Sequence, residues 1–137
     1  MDEALAKLTR EWLTKALHDL QTARIVASST DGPLDSAIYH CQQAAEKTVK
    51  GWLTANNIAF EKTHDIRRLI RQAEGILPDF SRYTGMAEIL TPYVSAFRYP
   101  GLTNDPMPSR VEFDAALEHA QAIYDFVLNL LPKEARP

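Results

Sequence analysis

Residues 39–66, YHCQQAAEKTVKGWLTANNIAFEKTHDI, decide the fold. Ile38, Cys41, Ala45, Val49 and Trp52 recur at steps of three and four, the period of one buried helix face. His40, Gln43, Lys47 and Lys50 run along the other side, an exposed polar stripe in this reading. Glu46 stands one turn ahead of Lys50, the acid-before-base order that favours an i,i+4 pair. The spacing therefore predicts a helix that ends at Asn56-Asn57, a short connector, and a Thr63-His64-Asp65 that opens the next helix, with Thr63 as its cap.

The chain on the N-terminal side has the same period. Leu5, Leu8, Trp12, Ala16, Leu20, Ala23 and Ala27 form one stripe of a helix over 3–28, with the acids Asp2 and Glu3 at its positive end. Ser28-Ser29-Thr30-Asp31-Gly32 breaks that pattern, and Pro33 is suited to start the second helix, which runs to Ala55. Downstream, Ile66, Leu69, Ile70 and Ala73 face inward on a short third helix while Arg67, Arg68 and Arg71 point outward, until Gly75 and Pro78 stop it. A fourth helical pattern runs from Phe80 through Tyr83, Ala87, Leu90 and Val94 to Phe97. Pro92 lies inside it and must kink or restart it, having no amide to donate.

Residues 98–108 carry three prolines and a glycine without periodicity and read as a loop. Ser109-Arg110-Val111-Glu112 is a capping box in which Ser109 and Glu112 satisfy each other's amides. The last helix then buries Phe113, Ala116, Ala120, Ile123, Val127 and Leu130, and the tail 132–137 frays. No segment alternates with a strand period. The expected fold is all-α: an antiparallel up-and-down bundle of four long helices plus a short helix, one domain over 1–137 with its core in about 4–131.

Composition limits the function. The chain has 137 residues, 45% of them hydrophobic and 24% charged, as expected of a globular domain. A net charge of −3 and a pI near 5.8 argue against nonspecific DNA binding, though a local basic patch still suffices for one phosphate. The N-terminus lacks a signal peptide's apolar segment, and no run approaches a membrane span, so the expectation is a cytoplasmic protein with no membrane partner. Cys41 is the one cysteine, which excludes an internal disulfide and fits a reducing compartment. It sits on the apolar stripe and reads as a buried small side chain, not a nucleophile. His18, His40, His64 and His119 show no ligand spacing, so neither a metal site nor a cofactor is expected.

Two features point to anion binding. Lys62, His64, Arg67, Arg68 and Arg71 cluster near a helix N-terminus, with His64, Arg68 and Arg71 on one side. Arg98 closes the fourth pattern just before Tyr99-Pro100, where it can project into a groove and hold a phosphate with two parallel bonds. The plainer alternatives are a solvated helix face and an Arg98 that pairs with a carboxylate or caps its own helix.

The order of these features resembles the HEPN domain family: His40-Cys41-Gln42-Gln43-Ala44-Ala45-Glu46-Lys47, then Lys62-Thr63-His64-Asp65-Ile66, then Arg98-Tyr99-Pro100 before a final amphipathic helix. The resemblance covers about Ala4 to Leu131. It implies a helical bundle that forms homodimers and acts beside a small MNT-type nucleotidyltransferase, as a toxin–antitoxin pair or a two-part nucleotidyltransferase. The same bundle is similar to the C-terminal domain of kanamycin nucleotidyltransferase. Family members are proposed to bind nucleotides, and many divergent ones are metal-independent ribonucleases whose signature is an Arg followed four to six residues later by His. Here no histidine follows Arg98 until His119. What the resemblance implies for this chain is thus a non-catalytic binding module, homodimeric and partnered by an MNT-type nucleotidyltransferase. Its groove for nucleotide or RNA phosphate would be lined by Lys47, His64, Arg68, Arg98 and Tyr99. The alternatives are an endoribonuclease toxin in which His64 replaces the missing imidazole beside Arg98, and a non-catalytic dimerisation scaffold.

Overall fold

Two long helices with small residues between them form the frame. α1 (Glu3–Ala27) starts at Asp2, whose carboxylate accepts from the amides of Ala4 and Leu5. α2 (Leu34–Ala55) returns alongside it, so that Asp19 meets His40 and Thr9 lies near Gly51. Buried Ala6, Ala16, Ala23 and Ala27 face buried Ala37, Ala44 and Ala45, which lets the backbones approach closely. Gly51 marks the tightest point. A Cβ there would lie 2.4 Å from Leu13 Cδ2 and 3.0 Å from Trp12 Cβ.

The computed structural model describes all of residues 1–137, and every regular element in it is helical. α3 (Ile66–Glu74), α4 (Thr84–Leu90) and α5 (Arg110–Leu130) complete the set. α5 lays Phe113, Ala116, Ala120, Ile123 and Val127 against α2, and 30 buried residues join in one core. Phe80 is central to it, with Trp52 at 4.6 Å and Phe126 at 5.0 Å between ring centroids. Burial of aromatic and aliphatic side chains on this scale is what offsets the chain's conformational entropy.

Four local expectations change. The fourth pattern is not one long helix: Pro78–Tyr83 is a 3₁₀ segment, α4 follows it, and Thr91–Val94 is 3₁₀ again. Pro92 supplies no amide and its ring crowds the carbonyl one turn back, so the α-helix restarts as a tighter turn. The cap of α3 is Asp65, which accepts from the Arg68 amide, while Thr63 Oγ1 accepts from the Asp65 amide. Only half of the capping box forms. Ser109 accepts from the Glu112 amide at 3.0 Å, but the Glu112 carboxylate takes the Tyr93 hydroxyl at 2.8 Å instead of turning back. Finally, the tail is docked and not frayed: Lys133–Ala135 is a 3₁₀ turn, Ala135 is fully buried, and Arg10 donates to the Glu134 carbonyl. The turn packs on α1 and Leu131 and Ala135 join the core, burial that a sequence rule about termini does not weigh. No helix is long and apolar enough to cross a membrane.

Candidate functional site

The polar stripe of α2 is half covered, against expectation: Gln43 and Lys50 are buried, while His40 and Lys47 stay partly exposed. Gln42, Gln43, Glu46 and Lys50 all fall below a tenth of full exposure, because α1 covers one edge and the chain entering α3 covers the other. Polar groups removed from water must find partners, and these do. Asp19, from α1, puts one carboxylate oxygen 2.7 Å from His40 Nδ1 and the other 2.6 Å from Lys47 Nζ. Glu46 repeats the arrangement, with Oε1 2.7 Å from His64 Nδ1 and Oε2 2.9 Å from Lys50 Nζ. Gln42 Nε2 donates to Glu46 Oε1 and to the His64 carbonyl, each at 3.1 Å, and Gln43 donates to Gln42. No buried side-chain polar atom in the protein lacks a partner.

Each set is a carboxylate shared by a lysine and an imidazole. An ionised carboxylate only accepts, so Nδ1–H of each histidine is the donor, and Nε2 is the nitrogen left for something else. Glu46 is deeply buried while the His64 ring is largely exposed, so a fixed carboxylate aligns an imidazole that solvent can reach.

Arg98 occupies the turn after the second 3₁₀ segment, where its Nη1 donates to the Val94 carbonyl at 3.0 Å. Its guanidinium carbon lies 4.1 Å from the Tyr39 ring centroid and 5.5 Å from that of Tyr99. It takes part in none of the ion pairs of the fold. Attraction to a ring face uses none of a guanidinium's N–H donors, and here only Nη1 is committed, to Val94. With Asp35, Phe97, Tyr99, Thr103 and Asn104 it lines an open cleft of about 440 Å³.

The five residues expected to share a groove are therefore placed as follows. Lys47 lies on α2 against Asp19, His64 reaches α2 through Glu46, and Arg98 reaches it through Tyr39, with Tyr99 beside Arg98. Arg68 stands apart, paired with Glu61 at 2.8 Å in a different depression shared with Arg71 and Gln72. Cys41 is fully buried, and burial pushes its thiol up to about 12 despite the opposing field of Arg24. No three His, Cys, Asp or Glu side chains gather as a metal site, since lysines occupy the places beside the carboxylates.

Sequence reasoning missed Asp19, Tyr39 and Glu46 as organisers of this surface. A signal for Asp19 was present: it falls between Ala16 and Ala23 in the buried register of α1, where an acid without a partner would be costly.

A family model described as HEPN domain matches residues 9–130. Among solved structures, the chain is similar to TT1696 from Thermus thermophilus, with 29% identity and a TM-score of 0.76 over 90% of this chain and 98% of that one. It is also similar to ST0689, an archaeal HEPN homologue, with 25% identity and a TM-score of 0.72 over 89% of this chain and 96% of that one. No curated protein matches the chain.

Proposed function

Since the chain belongs to the HEPN domain family, we propose that it is a binding module that pairs with a second copy of itself and with an MNT-type nucleotidyltransferase, and that Arg98 holds the phosphate of a nucleotide or RNA. The observation that carries the phosphate part is the Arg98 guanidinium, 4.1 Å from the Tyr39 ring centroid and in no salt bridge, on a cleft whose one acidic lining residue is Asp35. Lys47 is already paired with Asp19, which leaves Arg98 as the principal cation for a ligand. Tyr99 offers its ring to a base.

Support for self-association comes from exposed apolar side chains at one end of the bundle. Ile25 is 70% and Val111 80% exposed, and Arg110 donates to the Ala27 carbonyl at 2.7 Å, which ties the end of α1 to the start of α5. A second copy seated over these two side chains would remove both from water. Light scattering should report a dimer that Val111→Glu weakens.

Isothermal titration with ATP, GTP and short RNAs tests the phosphate site. Charge-assisted hydrogen bonds contribute about 1.5–3 kcal/mol, so Arg98→Ala should weaken binding about 10- to 100-fold. Absence of binding, or binding indifferent to Arg98→Ala, refutes it.

A second reading has one specific observation in its favour. Glu46 aligns His64 by Nδ1, as a general base requires, so an endoribonuclease with a displaced histidine is the enzymatic alternative. RNA cleaved in EDTA by the wild type, but not by Arg98→Ala or His64→Ala, supports it, and intact RNA refutes it.

A further inference from the structure

The start of α2 has no cap of the usual kind. Its N-cap is Pro33, which offers no side-chain acceptor. The Ser36 amide donates to the Asp35 carboxylate at 2.7 Å, and the Ala37 amide to the Pro33 carbonyl at 3.1 Å. The Asp35 amide finds its partner 72 residues away, donating to the thioether sulfur of Met107 at 3.2 Å. This hydrogen bond ties the loop over 98–108 to α2. The loop's other side-chain hydrogen bonds stay inside it or reach the turn before it: Arg98 donates to Val94, Thr103 to the Asp105 carbonyl, and the Met107 amide to the Asp105 carboxylate.

A thioether placed so is both a latch and a target. Met107 is 40% exposed, so a small oxidant in solvent reaches its side chain. Sulfur has two lone pairs; the Asp35 N–H occupies one and leaves the other free. Of the other sulfur groups, Met1 is exposed at the chain's start, Met86 packs against the core and Cys41 is fully buried. Met107 thus combines access with a contact that holds two parts of the fold together.

We propose that Met107 is a modification site: hydrogen peroxide converts its thioether chiefly into one sulfoxide epimer, and this conversion releases the 98–108 loop from α2. The free lone pair attacks one peroxide oxygen, so that an S–O bond forms as the O–O bond breaks. The departing hydroxide takes the proton left on the transferred oxygen and becomes water; sulfur gives up two electrons and peroxide gains them. The new oxygen points away from Asp35, because the lone pair facing the amide was shielded. Sulfur then carries partial positive charge, its remaining lone pair accepts poorly, and the Asp35 amide turns to water. Thr103, Asn104 and Pro106 of the same loop line the Arg98 cleft opposite Asp35, so release of the latch unfixes one wall of that cleft, whatever the cleft binds.

Peroxide treatment of the full chain followed by peptide mass spectrometry tests this. Met107 and Met1 should each gain one oxygen well before Met86. The two methionine sulfoxide reductases, each specific for one epimer, should then find one epimer at Met107 in about three- to tenfold excess, the factor that one hydrogen bond supports, and near-equal epimers at Met1. Hydrogen exchange of the Asp35 amide should quicken about three- to tenfold on oxidation and recover on enzymatic reduction. In Met107→Leu, which keeps the volume and removes the acceptor, that amide should exchange fast from the start and ignore peroxide. Oxidation of Met107 no sooner than Met86, or equal epimers at Met107, overturns the modification site. A single epimer that leaves Asp35 exchange unchanged or slows it overturns the latch.

Discussion

Removing the Glu46 carboxylate should destabilise the fold far more than a surface ion pair could. Glu46 and Lys50 are only 5% and 10% exposed in their side chains, and the Nζ–Oε2 distance is 2.9 Å. In Glu46→Ala the Lys50 ammonium keeps only the face of Phe60, with the ring centroid 5.6 Å away, and Gln42 loses one acceptor. An uncompensated buried charge costs about 3–5 kcal/mol, a large share of the roughly 5–15 kcal/mol that holds a domain of this size. At an m-value of about 2 kcal/mol/M, the urea midpoint followed by circular dichroism should fall by about 2 M. Lys50→Met should cost less, because the remaining carboxylate keeps His64 and Gln42. The double variant Glu46→Leu/Lys50→Met removes both charges and should be more stable than Glu46→Ala, so the single effects do not add. His64→Ala, at a largely exposed ring, should change stability by less than about 1 kcal/mol. A Glu46→Ala protein within about 1 kcal/mol of wild type, or strictly additive single effects, would refute the buried-pair reasoning.

Three further outcomes follow from other parts of the fold. Phe80→Ala should cost about 3–5 kcal/mol in urea unfolding, because it empties a fully buried site between Trp52 and Phe126. Ser109→Ala should cost about 1 kcal/mol by leaving the Glu112 amide without its side-chain acceptor at the start of α5. Cys41 should resist a thiol reagent at neutral pH until the protein is unfolded. Its thiol is pushed by burial from an ordinary 9.0 to about 12, so the folded state holds its proton where the unfolded chain releases it. The Cys41 contribution to stability is thus complete below about pH 9 and is lost as pH rises towards 12, and the pH dependence of unfolding should differ from that of Cys41→Ala only in that window.

How much of this was legible in the sequence depended on the range of the interaction. The helices α1, α2 and α5 end within a residue or two of where periodicity, Asp2, Pro33 and Ser109 place them, since hydrophobic period and capping are local properties. The Glu46–Lys50 pair is local too, and it forms. The restart at Pro92 was visible, but the reduction of the fourth pattern to α4 between two 3₁₀ turns was not, because helix type there depends on what Phe80 and Tyr93 bury. Glu112 illustrates the same limit: its local partner was the Ser109 backbone, and a tyrosine nineteen positions away took its carboxylate instead.

By itself the sequence determined the helical class, the buried stripes, the burial of Cys41 and the family signature, because each is written in spacings of three or four residues or in short runs. Only the tertiary structure decided that Gln43, Glu46 and Lys50 on the polar side of α2 are buried while His40 and Lys47 stay partly exposed. It brought Asp19 to His40 and Lys47, His64 to Glu46, and Arg98 to Tyr39, while leaving Arg68 with Glu61 elsewhere. Those partners are separated along the chain by 18 residues or more in the histidine contacts, and nothing local pairs them. The reason is physical: a polar stripe looks the same in sequence whether water or protein covers it, and the covering elements are placed by the apolar faces on their opposite sides.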